Sequence, residues 1–168
     1  DHTHANISKS AMEKGIHVYV QKPLTHNVKE ARMLTELARK NKIVTQMGNQ
    51  GSSNPEQKMV QKWIKDGRIG KVSTVYTWTN RPVWAQGSPM PKPDPSQKPE
   101  GMDWDLWIGP AKNNGYTPGL HAFSWRGYWE YGTGSLGDMG CHIMDVPIKA
   151  LGIFDPFSIE AVSYTHLR

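Results

Sequence analysis

Apolar positions recur at two periods in the first fifty residues, and the alternation between them predicts the local structure. Ile7 and Ala11 stand four apart in Ala5–Lys14, a helix that Gly15 ends. Ile16–Val20 is a β-branched and aromatic run, read as a strand. Pro23 stops it, because proline has no N–H to give a ladder. Val28, Ala31, Leu34, Leu37 and Ala38 make a helical stripe across Asn27–Asn41. Ile43–Met47 is the next strand, closed by the turn Gly48-Asn49-Gln50-Gly51. Helix and strand alternating at this spacing build parallel βαβ units. Ligands of open parallel sheets lie beyond the carboxyl ends of the strands. Gln21-Lys22-Pro23 and the Gly48–Gly51 turn are therefore predicted to be neighbours on one rim.

Past residue 51 the pattern changes. Asn54 as N-cap, Pro55 at the first helical position and Gln57 at the capping-box position open a helix. It carries Met59, Val60, Trp63 and Ile64 and stops at Gly67. Lys71–Thr79 alternates, with Val72, Thr74, Tyr76 and Trp78 on one face, as a strand of a half-solvated sheet does. Ile159–Val162 starts another strand. The shift from parallel-type to antiparallel-type patterning marks a boundary at residues 51–54, giving units 1–52 and 53–168. From Arg81 to Gly119 no period survives, and six prolines keep Pro82–Pro99 extended or turning. A stretch of that length is usually functional or a linker. The predicted fold class is α/β: the C-terminal part of a parallel sheet, then part of an α+β domain with a mainly antiparallel sheet.

Composition narrows the function classes. The 168 residues are 37% hydrophobic and 21% charged, enough to bury a core in one domain or in parts of two. No apolar run approaches the roughly 20 residues of a membrane helix, and no membrane partner is expected. No leader is readable after Asp1; the cytoplasm is the default compartment, and the periplasm is open if a leader lies upstream. A single cysteine, Cys141, excludes an internal disulfide framework and a multi-cysteine zinc site. Of the net +5, residues 1–71 carry 13 Lys/Arg against 6 Asp/Glu, and residues 72–168 carry 7 against 9. The excess (Lys29, Arg32, Arg39, Lys40, Lys58, Lys62, Lys65) falls on amphipathic helices, so solvated faces account for it. No nucleic-acid motif accompanies it.

The chemistry concentrates in Gly132-Thr133-Gly134-Ser135-Leu136-Gly137-Asp138-Met139-Gly140-Cys141-His142-Ile143-Met144-Asp145. At about 100° per residue, His142 lies roughly 40° and Asp145 roughly −20° from Asp138, so the three share one face. Leu136, Met139, Ile143, Val146 and Ala150 form a separate apolar stripe. Gly137 and Gly140 weaken the helix by about 1 kcal/mol each, which suits a close approach of backbone or ligand. Pro147 implies a kink or an irregular last turn. Taken alone, Asp138 as a local cap and His142 as a satisfied histidine is the simpler reading, and Lys149 four residues on explains Asp145 as a helix ion pair.

Two separated motifs resemble one family. Gln21-Lys22-Pro23 after a short strand is similar to the Glu-Lys-Pro segment of the Gfo/Idh/MocA oxidoreductases. Asp138 and His142 lie in a stretch that resembles their Gly-Thr-Gly-x-Leu-x-Asp-x-Gly-x-His-x-x-Asp. The resemblance runs from Asp1 to about Ile159. It implies NAD or NADP on a Rossmann domain, a sugar or polyol substrate on a second α/β domain, and a homo-oligomer when complete. Lys22 matches the lysine that contacts the reacting hydroxyl and the cofactor; Asp138 and His142 match the substrate-side acid and the catalytic histidine. His4 matches the loop that borders the nicotinamide, and Gln21, Pro23, Asn49 and Gln50 fall on the cofactor rim. Trp125-Arg126 resembles a pair that precedes the catalytic helix in one branch, where the arginine meets substrate or phosphate. The chemistry agrees: alcohol oxidation needs a proton acceptor near neutral pH, for which histidine is suited. Asp138 would stabilise its cationic form, and Lys22 would stabilise a developing alkoxide.

Position 21 is glutamine where the family pattern has glutamate, which removes a charge partner from Lys22. No G-x-G-x-x-G follows any strand, and the family carries that fingerprint in a βαβ unit before the point matching Asp1. The chain thus reads as an internal fragment, inactive alone, and Ser163–Arg168 do not continue the pattern. Six of seven tryptophans fall between Trp78 and Trp129; Trp78 and Trp107 suit a core, Trp125 and Trp129 a sugar pocket. Tyr116 and His121 are loop residues open to a substrate contact. Two alternatives stand beside the oxidoreductase: NAD-dependent glycoside cleavage within the family, and metal-assisted hydrolysis with His2 and His4 as ligands. A sugar-binding module without catalysis is a third. No metal is assigned to the preferred reading.

Overall fold

The computed structural model describes residues 1–160. Its first part is α1 (His4–Glu13), β1 (Val18–Gln21), α2 (Val28–Asn41) and β2 (Thr45–Gly48). The strands pair in parallel from Val18↔Thr45 to Gln21↔Gly48. Ile16 precedes the ladder and is half exposed, so the strand is shorter at its start than the apolar run. The Asn27 side chain accepts the Glu30 N–H at 3.0 Å and caps α2, while Glu30 Oε2 accepts the His26 N–H at 2.8 Å. Ala5, Met12, Leu34 and Ile43 are buried between these elements.

α3 (Pro55–Lys65) follows Asn54, whose backbone is extended but whose side chain makes no cap bond. The helix keeps its predicted start through Pro55 and the Asn54 carbonyl, which accepts the Gln57 N–H at 3.2 Å. Lys71–Thr79 is not a strand: the parallel pair is the one ladder among the described residues, and Tyr76 and Trp78 are 81% and 80% exposed. Alternation defines two faces, but a strand also needs a neighbour to bond, and the described residues supply none. Trp78 is thus on the surface rather than in a core. The predicted antiparallel sheet is not observed; Ile159 and Glu160 join no ladder, and Ala161–Arg168 lie outside the described residues.

The aperiodic stretch is ordered by aromatic packing. It contains α4 (Trp104–Ile108), which Asp103 caps by accepting the Leu106 N–H at 2.9 Å. Trp104, Ile108, Tyr116, Leu120, Tyr128 and Tyr131 form a second core, with Trp107 stacked on Trp104 at 4.7 Å and 10°. Tyr116 belongs to that core, His121 is exposed, and Trp129 is 78% exposed beside His26. At Gly127 a Cβ would fall on the Ala85 carbonyl, so only glycine lets these loops touch.

The motif helix is split into α5 (Gly134–Ile143) and α6 (Asp145–Leu151), with the break at Met144. Pro147 explains the break: it offers no N–H to the Ile143 carbonyl, and its ring crowds that oxygen. The expected apolar stripe does not form one buried face, since Leu136 is 75% exposed and the buried residue of α5 is Gly140. α6 packs instead on α3. The N-terminus of α5 is capped from a distance: Gln86 Oε1 accepts the Ser135 N–H at 2.9 Å.

Three side chains tie the first part to the loop before α5. Asp1 Oδ2 accepts the Thr133 N–H (3.1 Å) and hydroxyl (2.7 Å). The His26 ring lies 3.0 Å from the Gly132 carbonyl. The His2 ring sits between the carbonyls of Tyr131 (Nδ1, 3.2 Å) and Ile108 (Nε2, 2.9 Å).

Candidate active site

β1 and β2 end side by side, and the Lys22 N–H extends the ladder by bonding the Gly48 carbonyl at 3.1 Å. From that point the Lys22 side chain crosses to α5. Its Nζ donates to the Asp138 carbonyl at 2.5 Å and to Asp138 Oδ1 at 2.9 Å. Arg126, in the turn Ser124–Gly127, donates Nε–H to the same Oδ1 at 3.3 Å and Nη1–H to the Phe123 carbonyl at 3.1 Å. Its guanidinium carbon is 4.5 Å from the centroids of both Phe123 and Trp125, a cation–π contact on each ring. Burial pushes the Asp138 carboxyl up, but the bond and charge of Lys22, then Arg126, outweigh it and hold the group below its usual range. The charge partner that position 21 lacks is thus supplied from a residue 116 positions away.

A cleft of about 320 Å³ opens around this cluster, lined by Asp1, His4, Gln21, Lys22, Gln50, Trp125, Arg126 and Asp138. Pro23 contributes through its backbone: its carbonyl accepts Nδ1–H of His4 at 2.6 Å. Burial pushes the His4 ring below the ordinary histidine value, which favours its neutral form. His142 is not among those lining residues; it meets the cleft only through Gln50. Its Nδ1 lies 3.2 Å from the Gln50 carbonyl, an acceptor, so in the neutral ring Nδ1 carries the proton and Nε2 the lone pair. Asp138 bonds Lys22 and Arg126 but makes no hydrogen bond to His142. Asn49 turns its amide to the Cys141 carbonyl at 2.6 Å. Asp145 accepts from Ser52 (2.8 Å) and pairs with Lys149 (2.9 Å), a helix ion pair that also fixes α6 to the β2–α3 loop.

Sequence reasoning missed the Gln50 carbonyl as the orienter of His142, because a backbone oxygen carries no residue signature. The hydrogen-bond partners of Asp138 are Lys22 and Arg126 rather than His142, the i,i+4 neighbour that the linear chain displays. Both His2 nitrogens face carbonyls, and no group of three metal-ligating side chains occurs among the described residues.

The ends of the parallel strands and the acid-bearing helix thus flank one cleft, at the strand ends where open parallel sheets hold their ligands. The profile "Oxidoreductase family, C-terminal alpha/beta domain" matches residues 53–161, and "Oxidoreductase family, NAD-binding Rossmann fold" matches residues 1–49. The chain belongs to the Gfo/Idh/MocA oxidoreductase family. Among curated relatives, levoglucosan dehydrogenase from Pseudarthrobacter phenanthrenivorans is 23% identical over 98% of this chain and 34% of its own length. Among solved structures, an NAD binding oxidoreductase from Klebsiella pneumoniae shares the fold at a TM-score of 0.53 and 24% identity, over 90% of this chain and 32% of that one. An inositol dehydrogenase homolog from Azotobacter vinelandii, complexed with NADH and myo-inositol, is 31% identical over 42% of this chain and 18% of that one, with a TM-score of 0.41. The chain thus spans about a third of the length of the curated relative it matches.

Proposed function

We propose that the complete protein transfers a hydride between NAD or NADP and a sugar or polyol hydroxyl, in the cleft between the strand ends and α5. The observation that carries this reading is the Lys22–Asp138 bridge, which joins the cofactor-type rim to the helix bearing His142. Residues 1–52 then serve the cofactor and the remainder the substrate. The donor set suits a nicotinamide: Gln21 and Gln50 line the cleft beside His4 and Lys22, and a glutamine amide offers both a donor and an acceptor to a carboxamide. When bound, the dinucleotide supplies the hydride chemistry.

The protein's own groups do the rest. Lys22, held by Asp138 and its carbonyl, can turn a remaining N–H toward the substrate oxygen and stabilise alkoxide character. His142, oriented by the Gln50 carbonyl, offers Nε2 as proton acceptor. Arg126 keeps Asp138 ionised when Lys22 shifts toward substrate, and with Trp125 it walls the substrate side. A sugar or polyol is favoured over other alcohols by the indole on that wall and by the likeness to levoglucosan dehydrogenase.

The test is turnover of the complete protein with NAD or NADP and a panel of sugars and polyols. Lys22→Ala and His142→Ala are each expected to lose roughly 10²–10⁴-fold in turnover with folding intact by circular dichroism. Undiminished turnover in both would falsify the assignment.

A further inference from the structure

We propose that Asn49 is a positioning residue that fixes the ring of His142, rather than a contact to the cofactor. The argument starts from the end of α5. A helix terminus leaves its last carbonyls without intrahelical donors, and here the break at Met144 exposes them early. The Met144 N–H still reaches the Gly140 carbonyl at 3.0 Å. The next carbonyl, of Cys141, is taken by Asn49 Nδ2–H at 2.6 Å, from 92 positions earlier in the chain. The residue after that, His142, bonds the Gln50 carbonyl through Nδ1 at 3.2 Å. Two consecutive residues of the rim turn therefore hold two consecutive residues of the last turn of α5, one as donor and one as acceptor.

The second observation is the other end of the same amide. Asn49 Oδ1 is buried and has no partner among the described residues. A flipped amide would set that oxygen against the Cys141 carbonyl, so the bond alone decides the orientation. An apolar side chain would fill the space without leaving an oxygen dry; the donor is what the position needs. The donor end of the amide is spent on the Cys141 carbonyl, and the cleft's lining includes Gln50 but not Asn49. Without the Asn49 bond, the stretch between the anchors at Asp138 (from Lys22) and Asp145 (from Ser52) loses its own register on the rim turn. The Nδ1–H bond to Gln50 and the bare Nε2 depend on that registration.

The inference rests on the proposed function only for what Nε2 does; the tautomer can be measured by itself. In the complete protein, ¹⁵N shifts of the His142 ring, assigned with His142→Gln, report which nitrogen carries the proton. The wild type is expected to show Nδ1–H with Nε2 unprotonated at pH 8. Asn49→Asp, similar in size but without the donor, and Asn49→Ala are expected to show averaged tautomers. Turnover should fall roughly ten- to a hundredfold, with the NAD dissociation constant unchanged and no loss of fold. An unchanged His142 spectrum in a folded variant overturns the proposal, as does weakened NAD binding without a change in that spectrum. If neither variant folds, the wild-type spectrum still decides, since an Nε2–H tautomer sinks it. Full turnover in His142→Ala would instead overturn the role of His142 as proton acceptor and leave the spectra to judge Asn49.

Discussion

Asp138 does more than one carboxylate ordinarily does, because it is the shared acceptor of two cations that come from different parts of the chain. Its depressed folded pKa, set against an unfolded value of about 3.9, gives a definite acid response. The stabilisation is complete above the unfolded value and is lost as pH falls through the lower folded one. The melting temperature of the complete protein is therefore expected to drop more steeply below about pH 4 in the wild type than in Asp138→Asn. At neutral pH the same substitution should cost about 2 kcal/mol, the worth of hydrogen bonds to charged groups in a half-buried setting, read from denaturant unfolding. Equal acid limbs in the two proteins would show that the pair does not contribute. His4 adds to the same trend at higher pH: its ring is held neutral by burial, so acidification through about 6.5 works against the fold.

The helix that carries the site is poorly self-sufficient. α5 holds three glycines, its N-cap Thr133 makes no side-chain cap bond, and Pro147 ends its continuity with α6. Its N-terminus depends on Gln86, in a loop 49 positions away, and its C-terminus on Asn49. Gln86→Ala is expected to destabilise the complete protein by about 1 kcal/mol, measured by thermal melting. Gly127→Ala should do more harm than an ordinary glycine-to-alanine change, since the added methyl meets the Ala85 backbone rather than a side chain that can rotate; soluble yield and melting temperature would report it. α1 and α2, by contrast, were readable from their apolar stripes. α4 was not, because five residues are too few to display a period, and its order comes from indole and phenol rings that meet across sequence gaps.

For the whole molecule, the decisive feature is the seam where the rim of the parallel sheet meets α5 and the loop before it. Asp1, His2, Lys22, His26, Asn49 and Gln50 all reach across it. Since the site sits on this seam, NAD bound there should stabilise the complete protein by about 2.7 kcal/mol at a hundredfold excess over its dissociation constant. A chelator should leave turnover unchanged, which separates this chemistry from metal-assisted hydrolysis. The sequence by itself determined the parallel βαβ unit, the placing of Lys22 at a strand end and the pairing of Asp138 with His142 on one helix, because these follow from periodicity, caps and proline, all local effects. It could not decide which partner each group would choose. Lys22 found its carboxylate and His142 its orienting carbonyl only once distant segments packed, and Lys71–Thr79 found no partner strand among the described residues. Hydrogen bonds and ion pairs are settled by distances of a few ångströms in space, and the linear order of residues does not encode those distances.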